Sequence, residues 1–300
     1  MDITIPVLKR RDIKELHLEP TDVCQAACAL CSRELDPNFD KNFQHHLTID
    51  QITQHFDNTH IAKLHKMYMC GLYGDPAAGK HTLDIYQYFR SINPEITLGM
   101  NTNGALQSAR WWNTLGTILN RQRDYVVFSI DGLENTNAIY RKNVNWTKLI
   151  TNAETYINAG GRAHWDMLVY QHNEHQVQQC EQLARDMGFF WFRAKISNRP
   201  LIDNLKHATT WTIPEPKTGP IDCFALSEQS AYIDAQGRLS PCCILGDRQK
   251  DFIGFDDDFE NIQKSWNTPE CNTICKSSCS SDNITTTSKN QWQYIAELKQ

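Results

Sequence analysis

Short apolar runs, each separated from the next by an amphipathic stretch of helical period, fill the first two hundred residues. The strand-like runs are 15–19, 66–70, 96–100, 125–130, 163–170 and 189–195, and the helical stretches are 49–58, 81–92, 105–118, 146–159 and 174–187. Alternation of this kind places the strands parallel, because each helix crosses over the sheet before the next strand starts, and such crossovers are right-handed. Gly160-Gly161 and Gly188 follow helical runs directly, where left-handed caps belong. Six such units fall short of the eight that close a full (β/α)8 barrel. The expected fold is α/β, an incomplete (β/α)6 TIM-like barrel over about residues 14–198.

After Pro200 the texture changes. Prolines at 200, 214, 216 and 220 suit an extended linker. SAYIDAQGRLSPCC then reads as a β-hairpin turning at Ala235-Gln236-Gly237. A short helix is expected at Asn261–Trp266, a polar stretch at 280–290, and helical periodicity in the tail from Gln291. The chain thus divides into a partial barrel, 1–200, and a smaller C-terminal β-hairpin/helix unit with its tail, 201–300, centred on about 221–280.

Hydrophobic residues make up 40% of the chain, enough to build a core, which excludes a disordered chain. A net charge of −5 gives no surplus of positive charge for a nucleic-acid surface. No apolar run of about 18 residues would span a membrane. The N-terminus lacks the residue order of a secretory signal, so a cytoplasmic location is expected. Eleven cysteines in a reducing compartment then point to metal ligation, catalysis or burial rather than to disulfides. Cys24, Cys28 and Cys31 form one group and six more lie from Cys223 to Cys279, which suggests two metal sites; Cys70 and Cys180 stand alone and suit packing.

Cys24-x3-Cys28-x2-Cys31 follows the first strand, on the barrel face where active sites lie. Three thiolates on a short loop can hold three irons of a [4Fe–4S] cluster and leave the fourth open to a small ligand. A closed zinc site would want a fourth ligand, and His45-His46 come more than a dozen residues later. Zinc and three unrelated buried thiols are the alternatives.

The same loop resembles the radical S-adenosylmethionine (SAM) superfamily, and further signatures follow in that family's order. Gly71-Leu72-Tyr73-Gly74-Asp75-Pro76 ends the second strand and resembles the Gly-Gly-Glu-Pro segment that binds the methionyl amine. Asn101-Thr102-Asn103-Gly104 resembles Thr-Asn-Gly, Ser129-Ile130-Asp131-Gly132 resembles Ser-x-Asp-Gly with Arg141 downstream, and Gln171-His172-Asn173 ends the fifth strand. The resemblance implies that the open iron chelates SAM and that the reduced cluster cleaves it to a 5′-deoxyadenosyl radical. It assigns the amine to the turn holding Tyr73, Gly74 and Asp75, the carboxylate to Ser129 and Arg141, the ribose to Asn103 or Asp131, and the surroundings of adenine to Leu30. Tyr73 and Asp75 depart from the family's Gly and Glu, and Leu30 from its usual aromatic. Simple turn chemistry is the alternative for Ser129, Asn103 and Asp131.

The second group resembles the SPASM and Twitch extensions of that family, which open with a cysteine followed by Gly-x4-Cys, here Cys223 and Gly237-x4-Cys242. A single auxiliary [4Fe–4S] cluster of the Twitch type is implied, held by Cys223, Cys242, Cys275 and Cys279, with Cys271 the first exchange. Cys242 and Cys243, adjacent on a strand, should point to opposite faces. A structural zinc on four thiolates is the alternative.

The expected function is hydrogen abstraction from a small-molecule substrate by a radical SAM enzyme, with an auxiliary cluster assisting a net oxidation. An external one-electron reductant such as flavodoxin or ferredoxin would be the partner, with neither nucleic acid nor membrane involved. Radical modification of a peptide is the alternative, and a noncatalytic iron–sulfur or zinc protein the second. A first strand near residue 14 leaves no room ahead of it for a leader-binding winged-helix module, which weighs against the peptide.

Overall fold

Each of the six apolar runs forms a strand. They are β1 (Glu15–Leu18), β2 (Lys66–Cys70), β3 (Thr97–Thr102), β4 (Tyr125–Ser129), β5 (Ala163–Val169) and β6 (Trp191–Ile196), hydrogen-bonded in chain order and all parallel. The computed structural model describes residues 8–42, 44–197, 201, 205–212, 219–248, 260–261, 264, 273–279 and 292–299. The helices are α1 (Ser32–Leu35), α2 (Ile49–Thr53), α3 (Asn58–Ile61), α4 (Thr82–Ile92), α5 (Ala109–Ile118), α6 (Glu134–Tyr140), α7 (Trp146–Asn158) and α8 (Val177–Met187). The α8 helix ends at Gly188, whose φ of +87° is the left-handed cap its sequence position predicts. The architecture is the expected partial barrel.

Alternation along the strands separates two faces. On one, Leu16, Leu18, Met67, Leu98, Phe128, Trp165 and Phe192 are fully buried. Trp112 of α5 and Tyr156 of α7 pack on Phe128, and Phe189 packs on both Phe128 and Trp165. Fully burying such an aromatic is worth about 1.5–3 kcal/mol, so this layer carries much of the stability. The opposite face is polar and half-buried. Its rows contain the ion pairs Glu15–Lys66 at 2.9 Å and Asp166–Arg193 at 2.7 and 2.9 Å, and the stacked rings of Tyr125 and His164. Strands of an all-parallel sheet are ordinarily buried on both faces. A polar inner face left partly open is what a barrel with a missing side presents.

Two edges differ from expectation. The hairpin strand β7 (Ser230–Ile233) pairs parallel with β1, His17 opposite Tyr232, and β8 (Leu239–Ser240) pairs antiparallel with β7. The hairpin therefore continues the barrel sheet. The tail, expected as a helix, forms β9 (Tyr294–Glu297), antiparallel to β6. An unpaired strand edge offers a row of backbone donors and acceptors, which outweighs the weak helical period of a short segment. The sheet order is β8-β7-β1-β2-β3-β4-β5-β6-β9. Most of the helix expected at 261–266 and all of 280–290 lie outside the described residues. No helix among the described residues is long and apolar enough to cross a membrane.

Candidate functional site

The chain leaves β1 through Pro20 into the cysteine loop, which is stitched to the segment after α6. Ala27 N–H donates to Lys142 O at 3.0 Å and Ala29 N–H to Tyr140 O at 3.3 Å. This brings Arg141 to the loop, with Nη1 3.9 Å from Cys28 Sγ and Nε donating to Asp131 Oδ2 at 2.7 Å. Cys24 Sγ accepts from Ala26 N–H at 3.4 Å and from Asn103 Nδ2 at 3.6 Å, and Cys31 Sγ lies 3.9 Å from Leu72 O. The three thiols thus face the ends of β2, β3 and β4.

Burial, and then the nearby Asp75 carboxylate, push the Cys24 thiol up to about 12. Burial also raises Cys28, against the pull of the Arg141 cation. N–H donors aimed at sulfur favour the thiolate form that metal ligation needs. Among the described residues no three His, Cys, Asp or Glu side chains converge on one point as a single metal ion requires. A four-iron cluster instead takes each thiolate on a separate iron. The donor set, three soft thiols on one loop with N–H groups turned toward them, fits that group.

The carboxylates of the strand-end turns brace the site. Asp75, 5% exposed, accepts four hydrogen bonds: from Ala77 N at 2.9 Å, Thr102 Oγ1 at 2.7 Å, and Asn103 N and Nδ2 at 2.7 Å each. Burial raises it despite those donors. Asp131, fully buried, takes Arg141 on one oxygen and Leu168 N–H on the other at 2.6 Å. Asn103 spends its amide on Gln25, Asp75 and Cys24. Leu30 is fully buried in the core, and Tyr73 stacks on Phe39 while its hydroxyl donates to Asp36 at 3.0 Å. Of the residues first associated with SAM, Ser129 lies on the half-buried polar face, in register with Asp166.

Two carboxylates were not foreseen. Glu19, 2% exposed, accepts from the N–H groups of Leu72, Tyr73 and Gly74 on Oε1, at 2.8, 2.7 and 3.1 Å, and from the Tyr232 hydroxyl on Oε2. Asp22 accepts from His45 N at 2.9 Å and pairs with its Nδ1 at 2.6 Å, so His45 braces the cysteine loop. The available signal was the acidic pair of Glu19 and Asp22 between the end of β1 and the first cysteine.

Four of the later cysteines, Cys223, Cys242, Cys275 and Cys279, line one small cavity with Phe224, Leu245 and Ile274. Cys223 is the N-cap of α9 (Phe224–Ser227), Cys242 precedes α10 (Cys243–Arg248), and the last two lie on α11 (Thr273–Cys279). A backbone bond of 2.7 Å from Asp222 N–H to Cys279 O ties the segments together. Burial raises the Cys279 thiol to about 12, with Cys223, Cys242 and Cys275 as neighbours. Cys243 has Cys70 and Glu19 beside it instead, so it turns away from the cavity; the cause is not alternation along a strand, since β8 ends at Ser240 and Cys243 begins α10. Cys271 lies outside the described residues.

Comparison with known proteins finds the same fold elsewhere. The chain resembles, in fold, SuiB from Streptococcus suis bound to S-adenosylmethionine, with a TM-score of 0.56 at 12% identity, covering 86% of this chain and 66% of SuiB. SuiB bound to precursor peptide SuiA gives 0.55 at 15% identity, with 88% and 67% covered. Native anSMEcpe with bound AdoMet gives 0.54 at 12% identity, with 76% and 74% covered. The chain thus spans about two thirds of SuiB. No curated protein sequence matches it significantly. The sequence profile of the radical SAM superfamily matches residues 18–185, more than half of the chain and the whole stretch from the end of β1 through most of α8. With the cysteine loop, the strand-end turns and strands β2 to β5 all within that span, the chain belongs to the radical SAM superfamily.

Proposed function

We propose that the protein is an enzyme that binds a [4Fe–4S] cluster at Cys24, Cys28 and Cys31 and SAM beside it, and abstracts hydrogen from a small polar substrate on the inner face of the barrel. When bound and reduced, this pair supplies a 5′-deoxyadenosyl radical, with the electron coming from a flavodoxin- or ferredoxin-like donor. The chain's own part is positioning and exclusion of water. Asn103 and Arg141 direct N–H groups at the thiols, and Asp75 and Asp131 lock the turns that carry them. Because the Asp75 oxygens are engaged, the methionyl amine falls to backbone carbonyls of the 71–74 turn. Ser129 at the end of β4 shares one row of the inner face with Asp166 and Arg193, which lie mid-strand in β5 and β6, and this row would meet the substrate.

The observation that carries the reading is the convergence of the thiol loop, Asn103 and Arg141 at the C-terminal ends of β1, β3 and β4. A second [4Fe–4S] cluster is proposed at Cys223, Cys242, Cys275 and Cys279, where it would accept the electron of a substrate oxidation; the shared cavity supports it. Anaerobically reconstituted protein should hold about eight irons, the triple Cys24/Cys28/Cys31→Ala variant about four, and Cys243→Ser about eight. Four irons plus one tightly held zinc in the parent would replace the second cluster with a structural metal.

A peptide substrate is the second reading, favoured by the SuiB and anSMEcpe structures that contain peptides. Addition of a small-molecule extract should raise 5′-deoxyadenosine formation. A rise with a peptide fraction alone would select the peptide.

A further inference from the structure

We infer that Glu19 is the positioning residue that turns the carbonyls of Gly71, Leu72 and Tyr73 toward SAM, and that Tyr232 makes this positioning depend on the C-terminal hairpin. The inference rests on the reading above, in which that turn receives the methionyl amine.

Three consecutive N–H groups, of Leu72, Tyr73 and Gly74, converge on one oxygen of a buried carboxylate. Convergent backbone amides of this kind form an anion-holding nest. Every peptide here is trans, so each N–H points opposite to the carbonyl of the preceding residue. Pulling those three amides to Glu19 therefore aims the carbonyls of Gly71, Leu72 and Tyr73 away from it. The thiol loop lies on that far side, since Leu72 O is the carbonyl found 3.9 Å from Cys31 Sγ. Glu19 is thus the reason the turn shows oxygens, rather than N–H groups, to the place where a cationic amine would sit.

The turn has little other freedom. A Cβ on Gly74 would stand 1.9 Å from Thr21 O, so backbone meets backbone at this position. Asp75 N–H is tied to Val23 O at 2.9 Å on the same side. The carboxylate is correspondingly committed on both oxygens, and the second one holds the Tyr232 hydroxyl. Tyr232 is 2% exposed and lies on β7, between Cys223 and Cys242 in the chain. A hairpin displaced by loss of order at the second cysteine group would therefore withdraw a donor from Glu19.

Glu19→Ala, Glu19→Gln and Tyr232→Phe test this through three readouts: amide hydrogen exchange at residues 72–74 without SAM, SAM affinity, and the electron paramagnetic resonance signal of the reduced cluster without SAM. A hydrogen bond to a buried carboxylate is worth about one to two orders of magnitude in local opening. Glu19→Ala should speed exchange at 72–74 about a hundredfold and weaken SAM binding about tenfold or more, with the cluster signal retained. Tyr232→Phe keeps the ring and should give about a tenfold rise in exchange and a several-fold loss of affinity, whereas Glu19→Gln keeps the Oε1 acceptor and should stay within about threefold of the parent. Parent-like exchange and affinity in a cluster-loaded Glu19→Ala protein overturn the role of Glu19. Parent-like values in Tyr232→Phe overturn the hairpin link, whether or not Glu19→Ala folds. A cluster-loaded parent that binds no SAM would instead refute the underlying reading.

Discussion

Replacing Asp75 with alanine tests the bracing of the site most sharply. The side chain sits between the turn after β2 and the end of β3, and its two oxygens take all four of the donors that Ala77, Thr102 and Asn103 present. Removing it strands donors in a buried place at roughly 1–3 kcal/mol each, offset by relief of a carboxylate that burial disfavours. The net loss should be about 3–5 kcal/mol, the range for breaking a buried charged network. At about 2 °C for each kcal/mol in a chain of this size, Tm should fall by roughly 6–10 °C. Asp75→Asn keeps one acceptor, and the Thr102 hydroxyl can rotate to receive its amide, so about 1–3 kcal/mol is expected. Thermal unfolding of the metal-free protein in reducing buffer gives both numbers. A Tm loss under about 2 °C for the alanine variant, or a greater loss for asparagine than for alanine, would refute the bracing role.

Arg141→Met should cost about 3–5 kcal/mol in chemical denaturation by leaving Asp131 buried without its cation, and Asp131→Asn in the same chain should recover part of it; additive losses would show the pair is not coupled. Glu19 is raised by burial from 4.5 to about 7. Between those values the folded state holds a proton the unfolded state has lost, so this residue's contribution to stability falls as pH rises from about 4.5 to 7, by up to roughly 3 kcal/mol, and is level above that. Glu19→Gln should therefore gain stability relative to the parent across that window, and a difference independent of pH would contradict it. Cys242→Ser should lose the second group's iron while Cys243→Ser keeps it, because only Cys242 lines the four-cysteine cavity.

Much of this architecture was legible in local pattern. The six strands β1–β6 appear where alternating or apolar runs predict them, because one face of each is packed under helices and periodicity records that. The loop of Cys24, Cys28 and Cys31 was legible because spacing within a short loop is itself geometry. What local pattern missed was pairing at a distance. The placement of β7 beside β1 depends on partners more than two hundred residues apart, such as His17 and Tyr232. The tail became β9 because the β6 edge was free, which QWQYIAELK does not record. The same applies to the carboxylates. Asp75 and Asp131 sit in motifs that suggest ligand contacts, yet their oxygens are spent on Asn103, Thr102, Arg141 and Leu168, and only the folded chain shows those partners. Glu19 went unnoticed because its role lies in amides contributed by another strand end.

The central claim is that the Cys24–Cys31 loop supports reductive cleavage of SAM. Anaerobically reconstituted protein, reduced with dithionite and supplied with SAM, should release 5′-deoxyadenosine and methionine in equal amounts, and the triple Cys24/Cys28/Cys31→Ala variant should release neither while keeping the iron of the second group. Formation of 5′-deoxyadenosine by that variant at the parent rate would contradict the account, as would its absence from a parent that carries a reducible four-iron cluster and binds SAM.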